Sequence, residues 1–461
     1  MSAVRRGTAL LGLAVLLLAG LATPAGAHGV GRRADLPLPV WLFAYSAAFA
    51  LLISFVALRI LWPRPRLAAA AAGATAPTWT DRASRVLAVV LQVVALALFV
   101  VTLSAAWLGA DSPAVNLAPT ALYVAFWVGM PILSAVVGDV WRRANPLHTV
   151  GLGLERLTRR APGRSSATGW LATHWPAAVG LLVFHWLELA YHDPASPRVV
   201  GIFLAAYSVV MLAGVARFGA HWLRDADGFA VLFSLIAALA PVHRDAERRL
   251  RFRMPGAGLA AARPRRGTLG VVLVVLGGTT FDGFSRTRLW SDVVGTRRGW
   301  ELTAVNSFGL VWAIAAVTLV FIVATRLATV IADDDCDTDE QQRRWAPSLI
   351  PIALAYSIAH YFSLLVFEGQ AFVVHLSDPF GEGWDLFGTA GNLIDFTVVS
   401  PNQIAYVQVA AIVIGHVAGV IAAHDRAVEI YPARVASRSQ YPLLAAMVAY
   451  TVGALLLLLN A

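Results

Sequence analysis

Apolar residues in this chain come in long runs, separated by polar stretches rich in arginine, glycine and proline. Ten runs approach or exceed the 17–25 residues, roughly, that a helix needs to cross a bilayer. They are Val40–Trp62, Val86–Leu108, Leu117–Val140, Trp175–Tyr191, Val199–Ala216, Leu269–Phe284, Val305–Ala324, Leu349–Phe367, Ile404–Ala423 and Tyr441–Leu459. Only helices and closed barrels satisfy every backbone group in lipid, so runs of this length predict an all-α polytopic protein with about ten transmembrane helices. The Leu269–Phe284 run is short and carries Gly277-Gly278, which predicts a span that is extended or broken. Phe229–Val242 is shorter still and ends near Pro241; it reads as an interfacial or re-entrant segment. No internal repeat is evident.

The first 27 residues read as a cleaved signal peptide. Arg5 and Arg6 form a basic start, Ala9–Ala22 an apolar core, and Ala25-Gly26-Ala27 a small-residue cleavage site. Residues 28–461 are then the integral membrane domain. With the mature N-terminus outside, the inner loops hold Arg64, Arg66, Arg82 and Arg85, then the arginines of 142–164, 217–266, 326–344 and 426–438. The outer loops hold only Arg32, Arg33, Arg198, Arg286, Arg288, Arg297 and Arg298. This positive-inside bias predicts a multi-pass protein of the plasma membrane. Two connections stand out. The basic inner loop 217–268 is expected to rest on the anionic inner leaflet. The outer stretch 368–403 is too long for a hairpin and carries Trp384, Phe387, Leu393, Ile394 and Phe396, which predicts an ordered lid.

Composition agrees with the pattern: 58% of residues are hydrophobic and 14% charged, against about 25% charged in soluble domains. The principal partner is therefore the lipid bilayer. The net charge of +9 does not point to nucleic acid, because the arginines cluster in loops on one side. The single Cys336 excludes an intramolecular disulfide and a cysteine-rich metal site. It lies in Asp333–Glu340, which lacks the glycine of a calcium loop and reads as a solvated charge run.

Against this background the ionisable residues within or beside spans carry the chemistry, since each costs roughly 2.5–3.5 kcal/mol at mid-bilayer. His185, Glu188 and His192 share one helical face at spacings of three and seven. Two imidazoles and a carboxylate suit zinc or another divalent metal, or equally a hydrated helix end. On the eighth run Tyr356, His360, Ser363 and Phe367 follow one face, with Glu368 at its outer end. His360 reads either as a packing residue or as a ligand or proton relay. On the ninth, Gly415 and Gly419 flank His416 at the spacing that lets helices approach closely. His424 and Asp425 reach the inner surface and read as structural, with Asp425 paired to Arg426. Asp282 follows the glycine pair and would point into a cavity if that span is broken. Asp395 is a weaker candidate. Cleavage after Ala27 would make His28 an N-terminal copper chelator.

The stretches Ala27–Gly29, Asp35–Tyr45, Thr280–Ser285, Ile352–Ser363 and Gly415–Arg426 resemble a family of actinobacterial polytopic membrane proteins that carry the name fenitrothion hydrolase. The resemblance spans most of the mature chain and its segments are moderately specific. It implies hydrolysis of an organophosphate triester, a small apolar substrate reaching the site from the outer leaflet. In that reading a divalent metal, zinc or copper, activates water. His185, Glu188, His192 and His360 would be its ligands, and Asp282 or Glu368 the general base. The rival is a transporter or channel for a metal ion or other small cation, which uses the same residues and requires polar groups to continue inward through His416 and His424. A third class, a non-catalytic subunit docking a partner, finds no specific support. Neither a phosphate-binding loop nor a Gly-x-Ser-x-Gly elbow is present.

Overall fold

The computed structural model describes residues 39–77, 79–158, 167–247 and 249–459; the expected signal peptide and His28 lie outside them. The chain is an all-α membrane protein. Its principal helices are α1 (Val40–Leu61), α2 (Trp79–Leu108), α3 (Leu117–Val137), α4 (Trp175–Leu189), α5 (Pro197–Phe218), α6 (Gly228–Ile236), α7 (Thr268–Ser285), α8 (Gly299–Ala332), α9 (Ile350–Ser377), α10 (Pro401–Ile430) and α11 (Tyr441–Leu459). Among the described residues nine helical segments are long and apolar enough to cross a membrane. Each of the ten expected runs lies largely on a helix. The exception in length is α4, with 15 residues; at 1.5 Å per residue it reaches only about 22 Å. Its buried Phe184, His185 and Leu187 pack against protein, so it does not need to match the lipid thickness by itself.

Burial divides the helices. The most apolar window of α7 is 83% buried, whereas that of α2 is 6% buried and presents Val86, Val89, Val93 and Val100 outward. So α7 is the central post and α2 a lipid-facing edge. Around α7 stand α8, α4 and α9, and α9 in turn packs against α10 and α3. For the Leu269–Phe284 run, expected to be extended or broken, the break is corrected: α7 is one continuous helix. Gly277 and Gly278 serve close approach instead. A Cβ at Gly277 would fall within 2.6 Å of Ile314 of α8, and one at Gly278 within 2.8 Å of His185 Nε2 of α4. A helical glycine costs about 1 kcal/mol relative to alanine, which this packing offsets. Gly415 and Gly419 act likewise, letting α10 close on Pro351, Ala355 and Ser348.

The basic segment 217–268 is folded rather than laid along a surface. Asp227 caps α6 through Phe229 N–H and Ala230 N–H and is held by Asn145 and Tyr207. The buried Phe229, Val231, Leu232 and Phe233 place α6 among α3, α4 and α7 rather than at an interface. At its other end Arg253 donates to the carbonyls of Ala237, Ala238 and Ala240. Strands β1 (Ala74–Thr75), β2 (Val242–Arg244) and β3 (Leu250–Phe252) form a small antiparallel sheet in the order β1-β3-β2. Arg244 meets Asp81, Arg251 meets Asp245, and Arg265 meets Asp225.

Two further expectations about this arginine-rich end change. Asp425 does not pair with Arg426, which bonds Glu429. Its buried carboxylate accepts from Trp62 Nε1 at 2.8 Å and from the N–H of Arg66 at 2.7 Å, while His424 reaches Gln440 and the carbonyl of Trp62. Both residues fasten the end of α1 to α10, in keeping with their structural reading. The Asp333–Glu340 run is not simply solvated. Asp333 ends α8 in the left-handed conformation, and Asp337 caps the helix Thr338–Trp345. Asp334 accepts from Tyr431 Oη at 2.6 Å and from Arg344 at 2.8 Å.

The Tyr431 hydroxyl is the main cause that holds the Asp334 carboxyl below its ordinary range, against burial, with help from Cys336 N–H and Arg344. A depressed folded value adds stability above the unfolded value, and that stability is lost as pH falls through the folded value. Tyr431→Phe should therefore lower the melting temperature of the solubilised protein at neutral pH. The gap to wild type should close once the pH is well below the ordinary aspartate value of about 3.9. A gap independent of pH would show that the hydroxyl acts by packing alone.

Candidate functional site

The last turn of α7 presents Asp282, and the middle of α9 presents His360 and Tyr361. Consecutive helical residues point about 100° apart, so α9 addresses two neighbours at once. His360 Nε2 lies 2.6 Å from Asp282 Oδ2. Tyr361 Oη donates to Glu188 Oε1 of α4 at 2.9 Å. Arg286, one turn beyond Asp282, reaches Oδ1 of the same carboxylate at 3.3 Å. The His360 and Asp282 side chains are only 3% and 7% exposed, while that of Arg286 is 58% exposed. The cluster thus runs from a closed interior to an open rim through one guanidinium. The His360–Asp282 approach is within ion-pair distance, a charge pair when the imidazole is protonated.

Below this pair lies a set of buried polar atoms with no hydrogen-bond partner among the described residues: His185 Nε2, Tyr356 Oη and His360 Nδ1. Such atoms cost free energy unless something meets them. His185 Nδ1 contacts the carbonyl of Leu181 at 2.9 Å. A carbonyl only accepts, so Nδ1 carries the proton and Nε2 of the neutral ring is a bare acceptor. Trp127 meets the His185 ring edge-on at 5.2 Å. It sits in a π-helical stretch of α3, Thr120–Gly129, and such widened turns recur at functional sites. Tyr356 stacks on His360, and Gly283 leaves room for its hydroxyl, which a Cβ there would approach to 2.9 Å.

Polar groups continue away from the rim. Tyr450 Oη of α11 bonds Thr280 Oγ1 of α7 at 2.8 Å, and its ring lies 6.3 Å from Tyr356 and 6.0 Å from His416. His416 is fully buried; its Nδ1 meets the Ile412 carbonyl at 2.8 Å, which leaves Nε2 as a second bare acceptor. Beyond it Gly419, Val420 and Ala423 precede the fastened His424.

Of the four expected metal ligands, His185, Glu188 and His360 lie in or beside this cluster and His192 does not. His185 and Glu188 face inward together, but α4 ends at Leu189, so the spacing that would carry His192 onto the same face lapses. His192 instead bonds Thr303 Oγ1 through its N–H and Nδ1 and lies against Tyr191 and Trp300. Among the described residues no group of three or more His, Cys, Asp or Glu is spaced to hold a metal ion, whereas a zinc site takes three or four such ligands. Glu368 is half-buried on α9, which continues to Ser377, so the irregular lid begins only at Asp378. The lid is ordered: Asp378 accepts from the N–H of Gly381, Glu382 and Gly383, and the carbonyls of Pro379 and Phe380 accept from Leu117 and Ala110. Asp395 is held in a turn with Thr397 and Gln370.

Four participants escaped the reading of the sequence. Arg286 was legible as the i+4 partner of Asp282. Tyr361, Trp127 and Tyr450 sit in apolar runs, where nothing marks an aromatic as polar in use. The chain matches no protein-family model, no curated protein and no solved structure.

Breaking a buried charge pair from one side typically costs about 3–5 kcal/mol. Asp282→Ala should therefore destabilise the solubilised protein markedly in thermal unfolding. The double variant Asp282→Ala/His360→Ala should lose clearly less than the sum of the two single variants. Strict additivity would mean that the two side chains do not interact.

Proposed function

We propose that this integral membrane protein moves protons through the Asp282–His360–Glu188 cluster, as part of a transport cycle. The observation that carries this reading is the buried Asp282–His360 pair, opened to the rim by Arg286. Ionisable groups within a bundle are costly and are kept where ions or protons pass. Arg286 selects among cations: a fixed guanidinium at the mouth repels a metal ion, whereas a proton passes by exchange between groups. The bare acceptors His185 Nε2 and His416 Nε2 and the hydroxyls of Tyr356 and Tyr450 support onward transfer. Polarity that continues past mid-bundle is what transport needs and hydrolysis does not. The apolar layer of Val420 and Ala423 before His424 supplies a barrier to free leakage.

The full chain reconstituted in liposomes, with an internal pH dye and an imposed potential, tests this. Wild type should acidify or alkalinise the lumen according to the sign of the potential. Asp282→Asn and His360→Ala should lower the rate at least about tenfold, one such factor being only 1.36 kcal/mol of barrier. His192→Ala, at the periphery, should leave it unchanged. Equal rates for wild type and Asp282→Asn would overturn the proposal.

One observation favours a second reading. A carboxylate set against an imidazole is also the arrangement of a general base, and the resemblance to proteins called fenitrothion hydrolases points to the same chemistry. Here His360 would take a proton from water, the oxygen would attack phosphorus, and the P–O(aryl) bond would break to release a phenolate. Washed membranes containing the chain should then release nitrophenol from fenitrothion above control membranes, and His360→Ala should abolish the excess. Absence of any excess from folded, inserted protein would remove this reading.

A further inference from the structure

At the arginine-rich end several arginines are spent on neighbours. Arg244, Arg251, Arg265, Arg266, Arg343 and Arg344 each meet a carboxylate. Arg142 and Arg224 differ. Both are exposed, and neither guanidinium has a hydrogen-bond or ion-pair partner among the described residues. They stand together on the wall of a hollow of about 110 Å³, which Asp139, Asn145, His148 and Ser234 also line. The hollow lies between the end of α3, the helix Pro146–Thr158 and the start of α6. It is separate from the Asp282–His360 cluster.

The hollow carries unmet donors. His148 Nδ1 is buried and has no partner among the described residues. Asn145 is already engaged, donating to Asp227 and accepting from Leu147 N–H, so it shapes the floor. Asp139 is the one acid; it accepts from Arg142 N–H at 3.1 Å and from the Ser234 hydroxyl. Burial pushes the Asp139 carboxyl above its ordinary value, against those two bonds and the charges of Arg142 and Arg143. Burial pushes His148 down; Glu155 opposes this, while Arg224 and Arg142 add to it. Positive potential in the hollow is thus undercompensated.

We infer that this hollow is an anion site that takes a phosphate group, clamped between the Arg142 and Arg224 guanidiniums with His148 beneath. Guanidinium matches phosphate in charge and in planar, two-pronged geometry. The phosphate comes either from a free solute or from an anionic lipid headgroup, which basic hollows at this depth also receive. Asp139 opposes the anion when ionised, so its neutralisation favours binding.

Two arms on the full-length protein test the inference and separate the sources. In the first, inorganic phosphate is titrated calorimetrically into the detergent-solubilised chain at low salt. In the second, the chain in phosphatidylcholine nanodiscs, with or without phosphatidic acid, is followed by native mass spectrometry for retained lipid and by melting temperature. Arg142→Gln/Arg224→Gln should weaken phosphate binding, phosphatidic acid retention, or both, at least tenfold, and Asp139→Asn should strengthen the same signal. The melting temperature without ligand should hold in the double variant, because both side chains are exposed; the single variants are read as well, so a misfolded double variant does not decide the matter. A response in the lipid arm alone identifies a headgroup site, and a response to phosphate identifies a solute site. Binding in both arms that is unchanged by the arginine variants, or no binding in either arm, would overturn the inference.

Discussion

An acid sealed among apolar helices must meet a partner, and the interior of this protein is organised around that requirement at Asp282. Its contact with His360 joins α7 to α9 across the centre of the bundle. The neighbouring geometry follows from it. Gly283 must lack a side chain so that Tyr356 can stack on His360, and Gly278 must lack one so that His185 can lie against α7. Tyr361 then falls on the opposite flank of α9, where it holds Glu188. Four ionisable or hydroxylic groups are thereby placed in one volume by a single pairing, and Arg286, among the described residues, carries its charge from there to the rim. A sealed cluster with one open end suits traffic of something small. Proton exchange needs no wider passage.

The arginine-rich end obeys a different rule. There a small apolar cluster around Leu147, Trp222 and Leu223 holds part of the loops, and charge fastens much of the rest. Arg253 closes the free carbonyls at the end of α6, Asp425 gathers the N–H groups that follow α1, and Asp334 ties the exit of α8 to Tyr431 and Arg344. Buried acceptors of this kind are stable because several donors converge on each. Several basic residues at this end are thus internal fasteners as well as surface charge. Arg142 and Arg224 instead face a shared hollow.

The placement of the helices was legible because lipid imposes a length and an apolar content on every span, and both are properties of local sequence. The close approach of α10 to α9 was legible too, in Gly415 and Gly419, and so were the fastening roles of His424 and Asp425. The same local reasoning failed at Gly277-Gly278, where the pair serves packing by α4 and α8 rather than a break. It failed at His192, because helical spacing predicts a shared face only while the helix lasts, and α4 stops at Leu189.

What the sequence alone determined is which residues are costly in a bilayer and must therefore be accommodated: His185, Glu188, Asp282, His360 and His416 were identifiable from hydropathy and charge. What only the tertiary structure decided is how each is accommodated. His360 meets Asp282 across 78 positions and Tyr361 meets Glu188 across 173, and no periodicity within one helix encodes a partner on another. The physical reason is that burial cost is a property of a residue and its immediate neighbours, whereas its compensation depends on helix packing, which is settled by the whole bundle at once.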